Sequence, residues 1–204
     1  LDSISSTLLH DEHLAFFRSD EEKGAGILFL DLVKKRTSTR RYSQIPVARE
    51  DIDRCIEAAR LAPSACNSQP WSFVVSDDPE RNHKICSSIF SGPYRMNRFA
   101  EEAPVLIFVK TERSRYSAMF GGLFRGTTFG LIDIGIACEH LVLQAAELGL
   151  GTCWIGWFNE RALKKELGLS GKHRFDIALT MGYPAREGVQ PKKRKSMESI
   201  RRYL

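Results

Sequence analysis

The chain carries no Cys-x-x-Cys pair. Its five cysteines, Cys55, Cys66, Cys86, Cys138 and Cys153, are scattered and odd in number, which argues against a disulfide-stapled secreted domain and against a zinc site. Long apolar runs are scarce too. The longest clean one, Pro104–Val109, falls far short of the roughly 20 residues that span a bilayer as a helix. A basic leader is missing as well. Asp2, Asp11, Glu12, Asp20, Glu21 and Glu22 put acid where a signal peptide needs positive charge, and the apolar stretch Ile27–Leu32 comes late. A cytoplasmic location is the resulting expectation, with no membrane partner.

Several motifs of catalysis are absent. No G-x-G-x-x-G follows a strand and there is no phosphate-binding P-loop, nucleophile elbow or H-E-x-x-H. The five histidines, His10, His13, His83, His140 and His173, are dispersed. No triad or metal cluster is defensible from spacing, so demanding chemistry would have to come from a cofactor.

What is present fits one globular unit. A chain of 204 residues buries about 70% of the surface its unfolded form exposes. Apolar residues make up 43% and charged residues 27%, an ordinary balance. The net charge is +5, and the excess is concentrated in Lys34–Arg36, Arg40–Arg41 and Lys192–Lys195. Such clusters suit either one phosphate-bearing ligand or a polyanion groove, and composition does not choose.

Periodicity predicts a helical extension over residues 1–26 and a domain over 27–204. Helices are expected at Ile27–Lys35, at Asp51–Leu61 ahead of Pro63, at Pro79–Ile89 and at Gly130–Leu148. A further one spans Asn159–Leu167, with Asn159 as its cap. Strands are expected at Trp71–Ser76, Val105–Lys110, Thr152–Gly156 and Phe175–Met181. The Gly130–Leu148 helix is apolar around much of its circumference and should be central and largely buried, with Gly149 and Gly151 ending it. Residues 111–129 form a long connection of the kind that often serves as a lid. This order makes an α+β fold with a central sheet beside a buried helix.

Two segments hold candidate ligand groups. Arg36-Thr37-Ser38-Thr39-Arg40 combines guanidinium forks with hydroxyls, which suits a phosphate and a polyol chain. On spacing alone, a solvated basic helix end favoured by the macrodipole is the plainer reading. Pro63-Ser64-Ala65-Cys66-Asn67-Ser68-Gln69-Pro70-Trp71 is stiffened by its prolines. Its amides could meet the alternating donor and acceptor edge of a flavin or pyrimidine ring, or it could be a structural turn stapled by Trp71.

Arg36–Tyr42 (RTSTRRY) resembles the R-x-S-x-R-x-[FY] pattern of the nitroreductase family. Ala62–Trp71 resembles that family's A-P-S-x-x-N-x-Q-P-W signature, and Asp133 with Leu148–Gly156 resembles a third block. Tyr183-Pro184 followed by Lys192–Lys195 resembles the basic tail, so the likeness covers roughly residues 27–204.

The resemblance implies a mostly antiparallel sheet flanked by helices, in a homodimer with FMN at the subunit interface. Arg36, Thr37, Ser38 and Arg40 would hold the phosphate and ribityl chain, joined by Lys192 and Arg194. Pro63, Ser64, Ala65 and Asn67 would reach the flavin from the partner subunit, and Ile155 and Gly156 would lie against the ring. NADPH or NADH would deliver a hydride to flavin N5, and a small oxidised acceptor (a nitroaromatic, quinone or activated alkene) would then take the electrons. No catalytic side chain is required for the first half-reaction. Phe120 and Phe124, beside Gly121-Gly122, are candidates to gate the acceptor.

The sequence departs from the family pattern at Thr37, where a basic residue is frequent, at Cys66, where Gly, Ser or Thr is usual, and at Ser196, where proline is usual. Cys66 as a filler or as a redox-sensitive thiol are both open. A flavin-binding store or sensor without turnover is the alternative function. Nucleic-acid binding through the tail lacks aromatic interleaving and a recognisable module.

Overall fold

The computed structural model describes residues 28–112, 128–186 and 192–204. The N-terminal extension and the gating candidates Phe120 and Phe124 lie outside the described residues. Four strands, β1 (Trp71–Ser76), β2 (Val105–Thr111), β3 (Gly151–Ile155) and β4 (Arg174–Gly182), form one sheet in the order β1-β2-β4-β3. Every neighbouring pair is antiparallel, as an α+β fold with a mostly antiparallel sheet requires. The helices are α1 (Phe29–Lys35), α2 (Arg49–Arg60), α3 (Pro79–Ile89), α4 (Phe129–Glu147), α5 (Glu160–Glu166) and α6 (Met197–Ile200).

The period-2 alternation of β2 divides the core into two layers. Val105, Ile107 and Val109 point to one face, where they pack with Ile52 and Cys55 of α2 and with Ile134, Leu141 and Ala145 of α4. Leu106 and Phe108 point to the other, against Ile85 and Ile89 of α3 and Leu163 of α5. All five β2 residues from Val105 to Val109 are buried. The strand therefore reads as a continuous apolar run because both of its faces are covered. A bulge between Val109 and Lys110 leaves Asp176 of β4 outside the ladder, and its carboxylate accepts from Thr111 Oγ1 at 2.6 Å.

Capping chemistry sets two helix starts. Asp78 accepts from Arg81 N–H ahead of Pro79 at the first turn of α3, and Asn159 accepts from Ala162 N–H at 3.0 Å to start α5. Gly149, at φ +77°, supplies the left-handed turn that ends α4. Gly151 does not help end that helix as expected. It is the first residue of β3.

The other differences from expectation are local. A 3-10 segment, Gly92–Glu102, carried no periodicity that sequence could register. The short tail helix α6, Met197–Ile200, was not expected from the sequence either.

The central helix is largely buried, as expected, apart from an exposed corner near its N-terminus. Eight of its residues, from Asp133 to Ala146, are buried, while Leu131 and Ile132 are exposed. Helix α1, which packs beside it, buries none of its residues and exposes Leu28, Phe29, Leu30 and Val33. At 19 residues, α4 is also long and apolar enough, by length and composition alone, to cross a membrane. The search for unbroken apolar runs passed over it because Asp133, Glu139 and His140 interrupt the pattern.

Candidate functional site

The Arg36–Arg40 segment is an arm laid along the edge of β3. Ser38 makes a parallel bridge to Thr152, and Thr39 N–H donates to Thr152 O at 2.9 Å. The approach is close enough to dictate a glycine. A Cβ on Gly151 would stand 2.7 Å from Thr39 Cβ and 2.8 Å from Thr39 Cγ2. Further on, Tyr42 pairs with Pro184, and Ser43 N–H donates to Tyr183 O at 2.9 Å.

Beneath the arm lies a buried network. The Tyr42 hydroxyl donates to Thr39 O at 2.7 Å and shares a 2.6 Å bond with Thr180 Oγ1. Burial pushes the Tyr42 phenol well above its ordinary range, against the lowering effect of the Thr180 bond. The arm is thus tied to the sheet through backbone and side chain together.

The basic clusters at opposite ends of the chain meet here. Lys192 Nζ donates to Val33 O and Lys34 O, each at 2.6 Å, satisfying two carbonyls that the end of α1 leaves open. Burial and the neighbouring Arg36 and Arg194 guanidiniums push the Lys192 ammonium below its usual range, while Glu139 opposes them. Lys192 therefore stands within the field of both arginines. Like charges gathered this way are unfavourable unless an anion joins them. Glu139 of α4 is the acidic member of the group. Burial raises its carboxyl, opposed by Arg36, His140 and Lys192. Its role could not be found in the sequence, since nothing there links position 139 to either basic cluster.

Arg40 is turned elsewhere, with its guanidinium 5.8 Å from the centre of the Phe99 ring. Arg36 and Arg40 nonetheless both act on the Cys153 thiol, which burial pushes up and the two cations draw down.

The Pro63–Trp71 loop is strained. Cys66, Asn67 and Gln69 all have positive φ, at 53°, 52° and 43°, a conformation that costs a non-glycine residue about 1–2 kcal/mol. Buried Asp133 holds it in place, accepting from Ala65 N–H at 3.1 Å and from Ser68 Oγ at 3.4 Å. Ser64 Oγ accepts from Gln69 N–H at 3.0 Å, and the Gln69 amide donates to Asn67 Oδ1 at 3.0 Å. Pro63, Ala65, Cys66 and Asn67 are left facing solvent, with Ser64 partly covered. Strain of this kind, overdetermined by its surroundings, is characteristic of functional loops.

Arm and loop are separate within one chain. Asp133 of α4 bonds the loop, whereas the arm is bonded to β3. No hydrogen bond joins Arg36–Arg40 to Pro63–Gln69 among the described residues.

At the end of β3, Ile155 is buried and Gly156 is exposed, with nothing within 4 Å of where a Cβ would stand. Among the described residues no group of three or more His, Cys, Asp or Glu side chains could hold a metal ion. Burial pushes the Cys55, Cys86 and Cys138 thiols up to about 12, so they are inert filling. Cys66 is the exposed thiol.

Comparison with known proteins agrees with this architecture. A model of the nitroreductase family matches residues 33–183. A putative NADH dehydrogenase/NAD(P)H nitroreductase of Archaeoglobus fulgidus is 30% identical over 162 residues, covering 78% of this chain and 86% of the relative. Iodotyrosine deiodinase 1 of Rattus norvegicus is 29% identical over 216 residues, covering 93% and 75%. An FMN reductase [NAD(P)H] of Bacillus subtilis is 31% identical over 161 residues, covering 72% and 62%. Among solved structures, a nitroreductase family protein from Clostridium difficile 630 superposes with a TM-score of 0.73 at 27% identity, covering 87% of this chain and 98% of the other. The matched span runs from α1, just ahead of the arm, through the strained loop to the end of β4, and on that ground the chain belongs to the nitroreductase family.

Proposed function

We propose that the protein is an FMN-dependent oxidoreductase that takes a hydride from NADPH or NADH and passes electrons to a small oxidised acceptor. The observation that supports the reading is the seating of Lys192, from the basic tail, on the Val33 and Lys34 carbonyls just ahead of Arg36. A phosphate monoester is the anion such a group fits. The bound FMN would supply the electron chemistry.

The chain's own part is binding and orientation. Arg36, Lys192 and Arg194 would hold the phosphate, and the Thr37 and Ser38 hydroxyls with Arg40 would hold the polyol chain. Gly156, open and without a side chain, would let a flat ring approach the backbone beyond Ile155. Positive charge nearby favours an anionic reduced ring. A nitroaromatic, a quinone and an activated alkene all remain candidate acceptors. The deiodinase relative adds halogenated phenols.

The site is completed in this reading by a second copy of the chain. Exposed Leu131 and Ile132 on α4 and Leu28, Phe29, Leu30 and Val33 on α1 form an apolar surface of the kind that marks interfaces. Pairing through it would bring the Pro63, Ser64, Ala65 and Asn67 loop of one protomer to the arm of the other. Dimerisation and flavin retention should then be lost together.

The test is direct. The purified protein should show flavin absorbance, elute as a dimer, and bleach in an anaerobic stopped-flow mix with NADPH or NADH. A colourless protein that fails to take up FMN overturns the reading. A yellow protein that neither donor bleaches is a flavin store or sensor.

A further inference from the structure

Beside Gly156 stands an aromatic surface that the flavin reading leaves unused. Trp157 is 56% exposed, yet it is fixed at three points. Its carbonyl accepts from Asn97 Nδ2 at 2.8 Å, its Nε1–H donates to Pro93 O at 3.4 Å, and its ring lies 5.5 Å from that of Tyr94 at 45°. An indole held out to water in one orientation forfeits both apolar burial and rotamer freedom. It also offers a ligand a flat surface whose ordering cost is already met.

The 3-10 segment Gly92–Glu102 frames this surface. With three residues per turn, Tyr94 and Asn97 share the side that meets Trp157, and Arg95 projects from the adjacent side. Arg95 has no carboxylate partner among the described residues. A fixed aromatic face with a free guanidinium on the neighbouring side of the segment suits a purine ring carrying phosphates. Consecutive Cα atoms lie about 3.8 Å apart, so the indole begins one residue from the backbone that would face the flavin.

We propose that Trp157, with Tyr94 and Arg95, receives the adenosine diphosphate half of the dinucleotide donor, outside the flavin pocket. The adenine stacks on the exposed indole face, and the diphosphate meets the guanidinium of Arg95. The proposal rests on the reading of NADPH or NADH as the donor, and it assigns the donor's affinity to a surface that flavin binding does not require.

The test compares two donors on the holoenzyme. NADPH and NADH carry adenosine, whereas reduced nicotinamide mononucleotide lacks it. Trp157→Ala should raise KM for the dinucleotides about ten-fold, as loss of one stacked ring does. It should leave kcat within two-fold and the KM for reduced nicotinamide mononucleotide unchanged. Trp157→Phe should retain most of the affinity. Titration calorimetry with ADP-ribose, which needs no turnover, should show the same loss in the alanine variant. Failure of ADP-ribose to bind the wild type overturns the proposal, as does equal binding by wild type and Trp157→Ala. A rise in KM for both donors alike also overturns it, since Trp157 would then shape the flavin pocket. Failure of the oxidoreductase reading shows differently, as a flavin that neither donor bleaches, and the ADP-ribose titration still decides whether this surface is a site.

Discussion

Gly151→Ala probes the contact on which the Arg36–Arg40 arm depends. The added methyl would stand 2.7 and 2.8 Å from Thr39 Cβ and Cγ2, and closer still to Oγ1. Thr39 is β-branched and its Cβ is fixed to the backbone, so a rotamer change does not relieve the clash. The arm itself has to lift. Overpacking of this kind costs about 1–3 kcal/mol. The bond from Thr39 N–H to Thr152 O, worth about 1 kcal/mol, weakens with it. A loss of about 2–3 kcal/mol lowers the melting temperature of a chain this size by roughly 4–12 °C. Ser38 and Arg36 move with the arm, so FMN affinity should fall at least about ten-fold, the equivalent of 1.4 kcal/mol. Thermal melts and FMN titration of the apoprotein read both effects. Thr39→Gly removes the obstructing atoms, and the double variant should be better than the sum of its parts. A Gly151→Ala protein that melts within a degree of the parent and keeps its flavin would refute the close-approach argument, as would strict additivity in the double variant.

Asp133→Ala leaves the partly buried Ala65 N–H without its charged acceptor and should cost about 1–3 kcal/mol. Flavin fluorescence on dilution should show faster release, with Asp133→Asn intermediate; identical release rates would detach Asp133 from the loop. Lys192→Met removes the cation that caps α1 and should weaken FMN binding about ten-fold at low salt and less at high salt, measured by titration at two ionic strengths. A loss independent of salt would mean that Lys192 acts only as a structural cap. Tyr42 has a folded-state pKa raised by burial, while the unfolded phenol ionises near 10. Its contribution is therefore complete below about pH 10 and lost as pH climbs toward the folded value. Tyr42→Phe should flatten that alkaline decline in urea melts, and an unchanged slope would exclude Tyr42 as its source.

Local chemistry made much of the fold legible. The β-branched and aromatic content of β1, the buried run of β2, the Asn159 cap and the helical spacing of α2 depend on neighbouring residues, and the structure agrees to within about two residues at their ends. The 3-10 segment Gly92–Glu102 escaped because its pattern is neither period 2 nor period 3.6. Apolarity around α4 was read as burial within the chain, but periodicity does not say which molecule covers a face, and Leu131 and Ile132 are uncovered here.

The candidate site divides in the same way. Residue type marked both candidate ligand segments, together with the basic tail, because guanidiniums, hydroxyls and amides advertise their chemistry locally. Only tertiary structure could bring Lys192 to the end of α1 and beside Arg36, place Glu139 among them, hang the strained loop on Asp133, and show that Gly151 is a point of close approach. Those facts depend on residues more than 60 positions apart meeting across packed layers, and a linear pattern carries no record of such distances. The arm and the loop were expected to serve one ligand across a subunit interface, the loop coming from the partner, and within one chain no hydrogen bond among the described residues joins them.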